Sequence, residues 1–213
     1  LPMDVDNSPG GQCWASPERW GPLSGRLIHT SYGQARIFTV LLDETAAGVS
    51  RLPLSFASGI HRARVNPADR HLWVAGLRGW QTTGARDGCL QRVRFTGKPE
   101  ALPVSLVRRE GKLAVGFSEA LDPEIAADPE NWTASAFNVV SNADYGSPDY
   151  LPSDPKKRGR EPWEITKVSL LNDGRSVVLE IPKLAPVNCL LIKANLRSAA
   201  GAKVPVELSL TLR

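Results

Sequence analysis

The chain is poor in the residues that organise chemistry. In 213 residues it has three cysteines, three histidines and one methionine. Cys13, Cys89 and Cys189 stand far apart. Neither C-x-x-C nor C-x-x-C-H occurs, so no zinc knuckle and no covalent haem site is encoded. The odd cysteine count argues against a disulfide framework. Cys13 and Cys89 can pair only if their strands are neighbours, and Cys189, inside Cys189-Leu190-Leu191-Ile192, reads as a buried strand thiol. The nucleophile elbow, the zinc-protease helix, the phosphate loop and the dinucleotide fingerprint are all missing. No cofactor is expected, and the chain alone is expected to be non-catalytic. No apolar run approaches the ~20 residues that span a bilayer, so membrane insertion is not expected. The opening LPMDVDNSPGG has neither the basic nor the apolar region of a signal peptide, so none is expected there. No long amphipathic helix pattern occurs.

What remains is β-patterning. In Ile60–Phe95, Arg62 and Arg64 alternate with Ala63 and Val65, Leu72 and Val74 carry one apolar side, and Arg92 and Arg94 alternate with Val93 and Phe95. Period-2 runs bounded by Asn66-Pro67-Ala68-Asp69 and by a Gly/Trp-rich loop read as half-buried antiparallel strands. Further strands are expected at Leu27–Ser31, Arg36–Leu42 and Val49–Leu54, with an Asn-Ser-Pro-Gly turn before them. Thr96–Pro103, with one glycine and two prolines, reads as a linker. This divides the chain into 1–98 and 103–213. In the second part, strands are expected at Pro103–Arg109, Lys112–Phe117, Trp132–Val140, Ile165–Leu171, Ser176–Ile181, Cys189–Leu196 and Val206–Leu212. One helical turn is expected at Glu124–Ala127 and a long polar loop over 141–163. The fold class is therefore all-β: a partial propeller-like or small antiparallel sheet domain, then an immunoglobulin-like β-sandwich.

Charge is uneven. Residues 1–99 hold 12 Lys+Arg against 7 Asp+Glu (+5), and 11 of the 12 are arginine; residues 100–213 hold 14 against 15 (−1). Arginine binds carboxylate, sulfate or phosphate in a planar fork. The alternative is that Arg62, Arg64 and their fellows merely solvate outward strand faces. Six tryptophans are many for this length, and Trp20 and Trp80 lie in Gly/Pro-rich loops. Indole faces stack on sugar rings while polar groups fix hydroxyls. Arg78-Gly79-Trp80-Gln81 puts a cation, an indole and an amide in one loop. The candidate ligand-binding residues are Trp20, Arg62, Arg64, Arg78, Trp80 and Gln81, for an acidic or sulfated glycan. The competing reading has Trp20 and Trp80 capping sheet ends. Trp73 and Trp132 are assigned to the core. Asp4 and Asp6 offer a fragment of an oxygen-ligand site, without the glycine an EF-hand needs at Pro9. His29, His61 and His71 are unpaired in sequence. Lys156–Arg160 is a basic loop read as solvated; without a recognition helix or aromatic-interleaved strand, nucleic acid is not expected as a partner.

Two resemblances arise from these residues. Val115–Pro123, Asp128–Trp132 and Asn172–Leu179 form a pattern F-S-x-x-L-D-P, D-P-x-N-W, D-G-R-x-V-x-L that resembles bacterial Ig-like domains of secreted and surface-layer proteins. Asp6–Gln12, Trp20–Leu23, His29–Gly33, Val74–Thr82, Asp87–Cys89, Tyr145–Tyr150 and Ser153–Lys157 together resemble the C-terminal portion of extracytoplasmic, cytochrome-linked propeller proteins of planctomycete and verrucomicrobial type, akin to sorbosone dehydrogenases. The second resemblance implies an extracytoplasmic location and neighbouring domains as partners. The haem motif and most of the propeller are missing, and a ring takes 4–8 blades. Three readings stand: a non-catalytic binding module, a fragment of a haem-linked sugar dehydrogenase whose catalytic parts lie elsewhere, and a structural spacer.

Overall fold

The computed structural model describes residues 1–140 and 146–213; Tyr145 of the propeller resemblance, with the start of the expected 141–163 loop, lies outside the described residues. Among the described residues the structure is 51% strand and 5% helix, and no sheet of theirs closes into a barrel. The chain is all-β, a small antiparallel sheet domain followed by a sandwich. It divides into two compact units, residues 1–40 with 49–99 and residues 41–48 with 100–213. The break at Pro99 falls inside the expected linker, but the second unit also takes in a hairpin tip that the sequence reading left in the first.

The first unit carries β1 (Pro9–Trp14), β2 (Leu27–Ser31), β3 (Arg36–Leu42) and β4 (Ala46–Arg51), with the ends of β3 and β4 contributing to the second unit. Its other sheet is β5 (Gly59–Val65), β6 (Leu72–Leu77) and β7 (Gly88–Val93). β1 corrects the expected Asn-Ser-Pro-Gly turn: pairing with β2 begins at Pro9 itself. Pro9 is tolerated because it opens an edge strand, where a missing N–H matters least. β1 and β2 lie against β5. Glycine makes this approach possible, since a Cβ on Gly10 would fall 2.2 Å from the Ile60 carbonyl oxygen. Ile28, Ile37, Phe38, Ile60, Leu72 and Val74 are buried.

The second unit packs two sheets face to face. One is β14 (Lys167–Leu170), β15 (Ser176–Glu180), β9 (Lys112–Phe117) and β8 (Pro103–Arg109), in that order. The other runs from residues 46–48 of β4 through β17 (Lys203–Leu212), β16 (Val187–Arg197) and β10 (Trp132–Val139). Alternation selects the inner faces: Leu113 and Val115, Val177 and Leu179, Leu190 and Ile192, Leu208 and Leu210 form one core. Trp132 joins it, its indole N–H donating to the Ala126 carbonyl at 3.1 Å. That carbonyl belongs to a short helix, α1 (Pro123–Ala127), which Asp122 caps through the amides of Glu124 and Ile125. The expected 141–163 loop is corrected too. Its described part holds β11 (Asp149–Leu151), β12 (Asp154–Arg158) and β13 (Glu161–Pro162), the first and last pairing with β10.

The β14–β15 turn gives a pH test. Asp173 accepts from the Ser176 hydroxyl at 2.6 Å and from the amides of Arg175 at 2.8 Å and Ser176 at 2.9 Å. These bonds, the Ser176 hydroxyl foremost, hold its carboxyl below the ordinary 3.8. A depressed folded value means the stabilisation is present above the unfolded value and is lost as pH falls through the folded one. Asp173→Ala is expected to destabilise the protein at pH 7. The gap from wild type should shrink below pH 3.8, as read by urea unfolding at both pH values; a gap that persists in acid would contradict this.

Candidate functional site

The sheet β5–β6–β7 decides where the first unit's charges go. Pairing aligns Arg64 with Trp73 and Trp73 with Arg92; the next row outward is Arg62, Ala75 and Leu90. Residues opposite one another share a face. Ala63, Val74 and Gln91 share the other, and Ala63 and Val74 are buried. A register shift between Ile60 and Arg62 sets this up. Strict alternation from buried Ile60 would aim Arg62 inward, and the bulge re-aims it.

The central row is held. Trp73 donates from its indole nitrogen to Asp69 Oδ2 at 3.2 Å, and Asp69 Oδ1 accepts the His71 amide at 2.9 Å. The Arg92 guanidinium carbon stands 5.9 Å from the Trp73 ring centroid, a cation–π contact. From Ile60 to Phe95 there are seven arginines, two aspartates and no lysine or glutamate. Arg64 also lies close enough to Cys13 to pull its thiol down, against the larger push upward from burial.

The loop after β6 presents Arg78, Trp80 and Gln81. It is pinned at several points. Arg78 N donates to the Asp87 carbonyl at 2.8 Å, Asn7 Nδ2 to the Gln81 carbonyl at 3.0 Å, and Thr82 Oγ1 to the Tyr32 carbonyl at 2.8 Å. Gln81 has a φ of 53°, a left-handed conformation unusual for a side-chain-bearing residue. Trp80 is 64% exposed on this held loop.

Of the expected ligand-binding residues, Arg62 and Arg64 thus share one sheet face, and Arg78, Trp80 and Gln81 share one loop. Trp20 does not belong with them. It is 3% exposed, and its indole N–H donates to the Arg70 carbonyl at 2.8 Å. A Gly/Pro-rich setting marked a short 3-10 turn, Gly21–Leu23, that seats the indole inward. Trp73, assigned to the core, is half-buried on the outer face. The parity of buried Leu72 and Val74 already put residue 73 on the opposite side. Arg92, absent from the candidate set, completes the row, and Asp69, also absent from it, anchors the indole.

Other candidates fall away. Asp6 is buried, with Oδ2 2.6 Å from His29 Nε2 and Oδ1 accepting from the Ser31 hydroxyl at 2.5 Å and the Ser8 amide at 3.3 Å. Asp4 is exposed, and among the described residues no three His, Cys, Asp or Glu side chains converge as a metal site. Asp6 fastens the N-terminal segment to β2. Cys13 and Cys89 are free thiols, because β7 pairs with β6 whereas β1 pairs with β2. In the basic segment, residues 156–158 are exposed on β12, but Arg160 donates to Asp149 at 2.8 Å and covers the Phe137 ring at 4.6 Å. The second unit has open clefts of about 480 and 340 Å³ that share Asn131, Asn195 and Pro205. The smaller carries charges of both signs, Lys193 and Glu207 standing 3.6 Å apart, and the larger is edged by Arg197 and Lys203. No protein family, curated protein or solved structure matches this chain.

The anchor of the row is testable. The His71 amide, then the Trp73 indole, hold the Asp69 carboxyl below its ordinary 3.8. Its grip on Trp73 is therefore full above that value and is lost as pH falls through the lower folded one. The Trp73 indole N–H resonance is expected to shift with that acidic midpoint and to exchange faster in Asp69→Ala. A Trp73 signal indifferent to both would contradict the anchor.

Proposed function

We propose that this chain is a non-catalytic binding module whose first unit takes carbohydrate through the loop of Arg78, Trp80 and Gln81. The observation that carries the reading is Trp80, 64% exposed on a loop held from outside by Asn7 and Tyr32. A large apolar ring presented to water on a pinned loop loses little conformational freedom when a flat ligand covers it. Arg78 and Gln81 supply donors and acceptors beside the ring, which suits the hydroxyls of a sugar whose apolar face rests on the indole. The resemblance to propeller proteins supports an extracytoplasmic setting, with other domains of a larger protein as neighbours. It also supports the alternative of a haem-linked sugar dehydrogenase whose chemistry lies in other domains. The Ig-like resemblance supports a carrier role for the second unit.

Calorimetry against a panel of neutral and anionic polysaccharides tests the reading. Trp80→Ala is expected to weaken binding by about 1–3 kcal/mol, the scale of uncovering a large side chain. Trp20→Phe, a change in a buried position, is expected to leave affinity unchanged. Binding that ignores Trp80→Ala would overturn the loop as the site, and no heat with any glycan would leave the spacer reading in its place. The purified chain is also expected to oxidise no sugar with artificial electron acceptors; heat-labile dye reduction would overturn the non-catalytic reading.

A further inference from the structure

We infer that the outer face of β5–β6–β7 is an anion-reading surface, and that the row Arg64–Trp73–Arg92 engages the carboxylates or sulfates of a linear acidic polysaccharide. The inference rests on the carbohydrate reading for the identity of the polymer, but it concerns residues outside the Trp80 loop. Arg64 and Arg92 flank Trp73 in register, two strand spacings or about 10 Å apart. Arg62 extends the cationic face one row further. Arg92 rests on the indole, and Asp69 fixes that indole. A guanidinium in cation–π contact over a ring still has N–H donors for a planar bidentate anion. Arg64 spends one Nη1 hydrogen on the Ala63 carbonyl at 2.7 Å and retains its other donors.

A carboxylated or sulfated chain is favoured over nucleic acid by the state of the ring. Base stacking needs an open aromatic platform. Trp73 is half-buried and carries Arg92 on its face. The separation across the row suits anions set apart along a stiff polymer, each met by one arginine, with the chain between them crossing Trp73 beside the neighbouring row of Ala75 and Leu90. Leu90 is 70% exposed and Ala75 is exposed in the same row.

The test is binding of the full chain to heparin, polygalacturonate, neutral dextran, inorganic polyphosphate and single-stranded DNA, at low and high salt. Arg64→Ala and Arg92→Ala are each expected to weaken binding to heparin or polygalacturonate by about tenfold, as loss of one charged hydrogen-bonded contact does. Arg92→Lys keeps the charge but not the planar fork, and should still lose several-fold. Arg109→Ala, which removes a charge from β8 in the second unit, should change affinity less than twofold. Affinity should fall as salt rises. Equal losses in Arg109→Ala and Arg92→Ala would overturn the inference in favour of net charge. Polyphosphate or DNA binding as tightly, with the same Arg92→Ala loss, would overturn the polysaccharide assignment. Glycan binding abolished by Trp80→Ala but untouched by Arg64→Ala and Arg92→Ala would overturn this surface and leave the loop reading intact. Arg92-dependent binding of acidic glycans that ignores Trp80→Ala would do the reverse.

Discussion

The register of β5 against β6 is the constraint on which the first unit's surface depends. In a strand, one residue of slip exchanges the two faces. Here such a slip would bring Arg62 and Arg64 into the layer of Ala63 and Val74, where a guanidinium would lose its hydration without a partner. The irregularity between Ile60 and Arg62 reconciles a buried Ile60 with outward arginines only two residues later. Burial of Leu72 and Val74 then fixes Trp73 and, through β7, Arg92 on the arginine side. The cationic face is thus a by-product of how the apolar face is satisfied. Asp69 anchors the indole and also acts through its charge on Arg92.

Much of the architecture was legible because alternation survives in the sequence. β2, β3, β8 and β9 follow from period-2 runs between turns, and their observed bounds are the expected ones. β1 was not legible. Its Pro9-Gly10-Gly11 start has turn composition, yet the same glycines are what let its backbone reach Ile60. Local composition reports what a residue permits, and only the partner decides which permission is used. β11–β13 escaped for a related reason. β12 is an edge strand of charged residues and one proline, and β11 and β13, of three and two residues, are too short for a pattern to announce them.

The tryptophans show the same limit more sharply. Trp20 and Trp80 sit in similar loop chemistry, yet one is 3% and the other 64% exposed. The difference lies in residues distant in the chain. Arg70, itself in a left-handed conformation at φ 61°, turns its carbonyl to receive the Trp20 indole, whereas Asn7 and Tyr32 hold the neighbours of Trp80 from outside. No window of sequence around either tryptophan contains that information. Trp73 was the recoverable case, since strand parity alone assigns it to the solvent side.

β7 is the last strand of its sheet, so one row of its backbone donors and acceptors faces outward rather than into a ladder. Such an edge is a template on which another chain can add a strand. Leu90, 70% exposed, makes it stickier still. Arg92 and, just past the strand, Arg94 put positive charge beside that edge in every copy of the molecule, so two copies approaching edge to edge repel. The arginines set like charge against like charge at that edge, and a polyanion that neutralised them would remove the repulsion. Concentrated along such a polymer, copies of this chain would meet with their edges no longer repelling, and the polymer would act as a nucleator of assembly.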